Sequence, residues 1–353
     1  MMTLRQLAAK PETVPVATSW YLADLGEARG RQELFTKQSP QRLKALREHA
    51  LIESAVSSNR IEGVLIEQAR IRPVIVGKSP LRDRDEEEVR GYRNALNLIH
   101  QQGAKLSVSE KTIRELHQLA RAAVGDAGQY KKSESDIIER YPDGRQRVRF
   151  KTVSAAKTPA AMTEVIDLWK RSVDERWAPP LIALAAFNLD LLCIHPFRDG
   201  NGRVSRLLFL LQCYHLGYEV GRYISLERLI EQNKARYYET LEQSSHRWHE
   251  GRHDPWPYIN YVLFVLKEAY KEFEGRVGQI KSPRGTKTEW IKAAVNAFSG
   301  DFTLADLERA CPGVSRDMVR RVLRELQRVK AVECLGRGPG ATWRRRGNIL
   351  KRG

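Results

Sequence analysis

The chain has 353 residues, 42% hydrophobic and 29% charged, the balance of a folded globular protein rather than of a disordered or fibrous one. That length exceeds what one core usually organises, so at least two domains are expected. The four cysteines, Cys193, Cys213, Cys311 and Cys334, stand singly, no apolar run reaches membrane length and the start lacks a secretory pattern, which argues against a disulfide framework, a zinc site and a membrane span and for a cytoplasmic location.

The formal net charge is +17, and residues 281–353 hold 17 Lys and Arg against 7 Asp and Glu, so the basicity belongs mostly to the last part of the chain. An anionic partner for that part is the first expectation.

In chain order, residues 1–40 carry Pro11, Pro15 and Pro40 without a sustained period and read as an arm packed on the body. Leu43, Leu46, Ala50, Val56 and Ile61 recur at helical spacing, which predicts an amphipathic helix over about 41–63, stopped by Gly63. Pro73 and Pro80 predict a loop over 72–81. The acidic run 83–88 then opens a helix to about His100, because carboxylates favour the positive end of the helix dipole. Residues 111–124 predict another helix.

The pattern changes at 137–140 and 148–153, two short extended runs around Tyr141-Pro142-Asp143-Gly144. Proline presets one turn dihedral and glycine accepts a positive one, so this predicts a β-hairpin. Helices resume over 160–174, over the almost wholly apolar 180–194, and over 203–216, 224–244 and 257–273. Residues 275–286 lack apolar periodicity and place a boundary there, dividing 1–280 from 281–353.

The informative string is His195-Pro196-Phe197-Arg198-Asp199-Gly200-Asn201-Gly202-Arg203-Val204-Ser205-Arg206. Two glycines around Asn201 let the backbone turn tightly and present N–H groups to an anion, and the helix that begins there adds its positive end. Arg203 and Arg206 are three apart, on one helix face, where both can reach a polyphosphate. Asp199 supplies the hard oxygen that Mg²⁺ carried by a nucleotide requires. His195 has an unperturbed pKa near neutrality and suits deprotonating a hydroxyl. Phe197 reads as a core anchor, and surface ion pairing of the string is the bland alternative.

The string resembles the signature of Fic-domain proteins, H-P-F-x-[D/E]-G-N-G-R-x-x-R, and fits it at every specified position. The resemblance implies a mainly α fold, a helical core with a small β-hairpin flap over about 133–153 that holds a target segment by strand addition. It implies transfer of AMP from Mg·ATP to a Ser, Thr or Tyr hydroxyl of a target protein, the chain itself included, and pairing into a homodimer as in many relatives. By position the general base falls on His195 and Mg²⁺ on Asp199. The run from Arg198 to Arg206 holds the phosphates: Gly200, Asn201, Gly202 and Arg203 the α- and β-phosphates, Arg206 the γ-phosphate.

Ser58-Asn59-Arg60-Ile61-Glu62-Gly63 fits the family's inhibitory pattern, [S/T]-x-x-x-E-[G/N]. In relatives that carry it ahead of the core the glutamate pairs with the last arginine, which implies a Glu62–Arg206 pair that blocks the γ-phosphate. Tyr237-Tyr238 resembles the family's tyrosine pair at the nucleobase pocket; Ser245 stands where relatives often carry an asparagine, so the expected base contacts are Tyr238 and Ser245, with two core tyrosines as the alternative. His246, His249 and His253 are irregularly spaced and read as a polar loop rather than a metal site.

Residues 290–298, 304–310 and 315–330 predict three helices, with Pro312-Gly313 turning between the last two. Residues 331–335 and 341–344 then flank Gly336-Arg337-Gly338-Pro339-Gly340. This resembles a small winged-helix domain, with Arg316, Arg320, Arg321 and Arg324 on its last helix and Arg337 and 344–346 on the wing. Such charges suit DNA phosphates, and a protein partner is the alternative. Two rival functions follow: a DNA-binding regulator whose core senses nucleotide, or an enzyme on the same fold that removes AMP or transfers another phosphate-containing group.

Overall fold

The computed structural model describes every residue except 1, 10–13, 37–39, 78, 122–124, 141–142, 280–285, 299, 312–313, 337, 339 and 347–353. Tyr141 and Pro142 of the expected hairpin turn, Pro312-Gly313, Arg337 and the middle of the expected boundary lie outside the described residues.

Fifteen α-helices are described: α1 Thr3–Ala9, α2 Val16–Thr36, α3 Pro40–Ile61, α4 Gln68–Ile75, α5 Arg84–Gln102, α6 Glu110–Arg121, α7 Thr158–Asp174, α8 Pro180–Ile194, α9 Asn201–His215, α10 Leu226–Gln232, α11 Lys234–Ser245, α12 Trp256–Gln279, α13 Thr286–Ala297, α14 Leu304–Ala310 and α15 Arg316–Arg328. Five strands accompany them: β1 Ile137–Arg140, β2 Gln146–Phe150, β3 Phe302–Thr303, β4 Val332–Cys334 and β5 Thr342–Arg345. No described helix is long and apolar enough to cross a membrane.

The apolar run of the sequence becomes α8, buried from Leu181 through Ile194 and enclosed by α1, α7, α9, α11 and α12. A helix apolar on every side must lie at the centre, and this one does. Strands β1 and β2 pair antiparallel outside this body, with a register shift between Ile137 and Ile138. Two arginines of β2 are tied down: Arg147 and Arg149 both reach Glu242 on α11, at 2.8 and 2.9 Å. A second core, with Ile291, Leu307, Val319, Val322 and Leu326, is formed by α13–α15 and an antiparallel sheet in the order β3-β5-β4. The two units touch where His49 of α3 stacks on Trp290 of α13, ring centres 3.8 Å apart.

Four expectations need correction. The arm is helical: α2 packs along α12 with Leu25 fully buried, so tertiary contact stabilises a helix whose own periodicity is weak. Residues 72–75 belong to α4 despite Pro73, because Ile71, Val74 and Ile75 are buried and Arg90 donates to the Val74 carbonyl at 2.9 Å. The helix expected over 224–244 breaks at Asn233, whose amide turns back to the Leu229 carbonyl at 2.9 Å. Residues 275–279 continue α12 rather than opening the boundary, with Val277 buried and Arg276 paired to Glu272 at 2.5 Å. The short strand β3 carries no sequence signal of its own.

Asp190, inside α8, anchors the start of the chain. Its fully buried carboxylate accepts the amides of Thr3 (2.7 Å) and Leu4 (3.0 Å) and the indole N–H of Trp248 (2.7 Å). Asp190→Leu leaves three buried donors without an acceptor, at roughly 1 kcal/mol or more each. The melting midpoint of the body is therefore expected to fall by roughly 6 °C or more, read by calorimetry, with the transition of the C-terminal unit unchanged.

Candidate active site

The loop between α8 and α9 is locked by its own side chains. Asn201 accepts the Phe197 amide (2.9 Å) and donates to the Phe197 carbonyl (2.8 Å), so its amide group staples the loop. Phe197 is fully buried and stacks flat on His117, ring centres 3.7 Å apart. His117 Nδ1 accepts the Gly128 amide, which leaves its proton on Nε2 to donate to the Asp199 carbonyl at 2.9 Å. Burial pushes His117 down to about 4, so it serves as a neutral strut.

His195 ends α8 in the left-handed region, φ 53° and ψ 61°, a conformation unusual for a residue with a side chain. The turn aims its half-buried ring into a cavity of about 230 Å³ lined also by Glu62, Phe150, Gly202, Tyr238 and Ser245. Its Nδ1 lies 3.3 Å from the Leu192 carbonyl. Donation there puts the proton on Nδ1 and the lone pair on Nε2. Burial, reinforced by Lys131, brings its pKa down to about 4.

Gly200, at φ 82°, starts α9, and the first amides of that helix have no intrahelical partner. A methyl group on Gly202 would overlap Glu62 Oε1, so the Glu62 carboxylate lies over this helix start. It also accepts from Arg206 Nη2 at 2.7 Å. Ser58 completes the grip on Arg206 through its hydroxyl (2.9 Å) and its carbonyl (3.0 Å). Burial works against the Arg206 charge, and Glu62 together with Tyr237 and Tyr92 more than offsets this, holding the guanidinium above its ordinary value. Glu62 and Gly63, the latter at φ 86°, form the turn that follows α3.

Arg203 and Arg206 do not share a direction. Arg203 is 1% exposed and points to Glu88 Oε2 (2.5 Å) and Asn59 Oδ1 (3.3 Å). Asp199 stands above it, half-exposed, with Arg121 at 2.7 Å, its own carboxylate accepting the Gly200 amide at 2.6 Å, and Arg203 at 3.8 Å. Partial burial raises its pKa, but Arg121, Arg203 and the Gly200 amide outweigh that and hold it low. Arg198 is exposed. Tyr238 lines the cavity with Arg149 over its ring at 5.5 Å, whereas the Ser245 hydroxyl turns back to the Glu242 carbonyl at 3.3 Å.

Glu88, expected only as part of the acidic helix start, and Arg121 were not expected at the site, and both had a signal. Glu88 is in phase with the buried stripe Tyr92, Leu96 and Ile99 of α5, and Arg121 with Ile113 and His117 of α6. A charged residue in phase with a buried face needs a buried partner. His246, His249 and His253 form no metal cluster; among the described residues there is no group of three metal-ligating side chains.

The low His195 pKa fixes a pH window. As pH falls through 6.5, where an ordinary imidazole takes a proton, His195 is expected to stay neutral and to titrate only near 4. Histidine NMR with His195→Gln as the assignment control reads this directly, and a midpoint near 6.5 would contradict the buried geometry.

Comparison with known proteins agrees with the loop geometry. Residues 107–213 match the profile of the Fic/DOC family. The chain is 26% identical over 232 residues to the protein adenylyltransferase Fic of Nematostella vectensis, covering 62% of this chain and 47% of that protein. It is 22% identical over 287 residues to that of Drosophila melanogaster, covering 74% and 54%. The chain thus spans about half the length of the curated relatives it matches. A crystal structure of a Fic family protein from Desulfovibrio desulfuricans superposes with a TM-score of 0.64 at 23% identity, covering 96% of this chain and 98% of that one. Residues 107–213, which include the loop from His195 to Arg206, are a Fic domain.

Proposed function

We propose that the chain is a protein adenylyltransferase that moves AMP from Mg·ATP to a Ser, Thr or Tyr hydroxyl of a target protein, with Glu62 as its inhibitor. The observation that carries this reading is one cavity in which His195, the α9 start at Gly202, Tyr238 and Glu62 meet. The names of the relatives support the same chemistry.

In this reading His195 Nε2 takes the proton of the target hydroxyl, since its Nδ1–H is committed to Leu192. The hydroxyl oxygen bonds to the α-phosphorus as the bond from that phosphorus to the β-phosphate oxygen breaks, and pyrophosphate leaves. The open amides of α9 face the phosphates, with Arg206 reaching the γ-phosphate once Glu62 is displaced. Asp199 would hold Mg²⁺. One half-exposed carboxylate oxygen set, with no protein cluster around it, fits a cation whose other ligands are phosphate oxygens and water. Bound there, Mg²⁺ supplies neutralisation of phosphate charge. Arg121 and Gly200 N–H fix the carboxylate for that role, and Arg203 beneath it adds positive field.

Glu62 inhibits by substitution: its carboxylate takes the place on Arg206 and over Gly202 that a phosphate needs. The C-terminal unit is read as a winged helix on its three helices and antiparallel sheet, and Arg316, Arg320, Arg321 and Arg324 are exposed along α15. Of the wing arginines, Arg344 and Arg346 are paired to Asp301 and Glu333, and on α15 Arg316 and Arg321 are paired to Glu308 and Glu325, so a DNA contact would rest first on Arg320 and Arg324.

Two experiments follow. With ATP labelled on the α-phosphate and a cell lysate as target source, Glu62→Gly is expected to raise protein labelling at least tenfold, and adding His195→Ala to lower it by about 10²-fold or more. No label in any variant would sink the transferase reading. For the C-terminal unit, full-length chain titrated with duplex DNA is expected to bind more weakly as salt rises, with Arg320→Glu plus Arg324→Glu reducing the log–log slope by about 2. Salt-independent or absent binding removes DNA as a partner.

A further inference from the structure

Lys131 is a buried lysine, 5% exposed, that no recognised motif claims. It holds both residues that flank His195. Its backbone N–H donates to the Pro196 carbonyl at 2.9 Å, and its ammonium donates to the Ile194 carbonyl at 3.3 Å. The ammonium also donates to the Thr152 hydroxyl at 2.7 Å. That hydroxyl passes its own proton to the Ser135 carbonyl at 3.1 Å, and the Thr152 amide donates to Asp136 at 3.1 Å. Ser135, Asp136 and Thr152 are the two feet of the β1–β2 hairpin. One side chain therefore joins the hairpin to the loop that carries the candidate base.

Two physical needs converge on this position. A left-handed His195 costs backbone energy and persists only where its surroundings over-determine it. Bonds to the carbonyls before and after it, from a single residue, provide that constraint. The second need is reach: a base must lie within hydrogen-bond distance of the hydroxyl it serves, so the height of the hairpin above His195 must be fixed to a fraction of an ångström. Three bonds from Lys131 set it. The site also keeps this cation without a short-range carboxylate: the acids near its ammonium are Glu134 and Asp136, and burial brings Lys131 down to about 8. The charged groups that act on His195 are Lys131, Glu62 and Asp199, of which Lys131 alone favours the neutral ring.

We propose that Lys131 is a positioning residue of this site: it clamps the hairpin feet to the His195 turn and thereby sets where a target hydroxyl meets the imidazole. This rests on the reading of His195 as the base. Lys131 touches no group of the anion pocket, so its loss should act on turnover rather than on nucleotide binding.

The test uses the full chain in the Glu62→Gly background, with Lys131→Met and Thr152→Val made separately. Lys131→Met removes both side-chain bonds of the clamp and the charge while the backbone bond to Pro196 stays; Thr152→Val removes only the hairpin arm of the clamp. For Lys131→Met we expect kcat for label transfer to fall tenfold or more, KM for ATP to stay within about twofold, and the His195 NMR midpoint to rise toward 6.5. For Thr152→Val we expect a fall in kcat with the His195 midpoint unmoved. Full kcat in both variants, beside an inactive His195→Ala, overturns the clamp and leaves the transferase reading standing. If no variant transfers label, the transferase reading falls by itself, and the NMR midpoint in Lys131→Met decides: a rise upholds the coupling to His195, an unchanged midpoint overturns it. Should Lys131→Met fail to fold, Thr152→Val carries the same decision through its kcat.

Discussion

Two guanidinium groups taken out of water at the start of one helix govern the rest of this structure. Arg203 and Arg206 are 1% and 4% exposed, and a buried charge is tolerable only with a counter-charge and hydrogen bonds. The chain meets the two demands differently. Arg203 is matched by Glu88, which is itself buried and also holds Arg121, so that pairing is part of the core. Arg206 is matched by Glu62, which is 26% exposed in its side chain and follows the last residue of α3. One counter-ion is fixed and the other is at the margin of the protein. Any anion that replaces Glu62 must satisfy the same buried cation, which is the physical content of the proposed inhibition.

The order of the helices around α8 follows from that demand. Glu88 arrives on α5, Arg121 and His117 on α6, and Ser58 and Asn59 on α3 with Glu62 just past its end, so three helices distant in sequence converge on the loop from His195 to Arg206. Buried polar networks of this kind are costly when half-satisfied and rigid when complete. The loop itself contributes little freedom, since Asn201 closes it and Phe197 is sunk into the core.

What could be read beforehand was whatever repeats or clusters along the chain. The apolar run gave α8 to the residue, Asp83 marked the start of α5 and caps it by accepting the Glu86 amide, and the hairpin turn lies between two paired strands. The Glu62–Arg206 contact was expected and is present at 2.7 Å. Illegible were the features decided by tertiary partners. The arm became helix because Asp190 accepts the first amides of α1 and because α2 packs along α12; α4 survived Pro73 because its apolar side is buried; Arg203 and Arg206, three apart on one helix, diverge because each has a separate carboxylate. Lys131 and Thr152 have no local signature at all, since their meaning lies in carbonyls more than sixty residues away from Lys131 and a hydroxyl about twenty away.

The left-handed turn at His195 has one more consequence. A residue with a side chain held there stores roughly 1–2 kcal/mol that a glycine would not. The position is therefore one where the chain gives up stability, and a variant selected only for thermal resistance would drift toward glycine and shed the imidazole. Robustness and activity oppose each other at a single backbone dihedral, and an engineer hardening this protein should leave that residue alone.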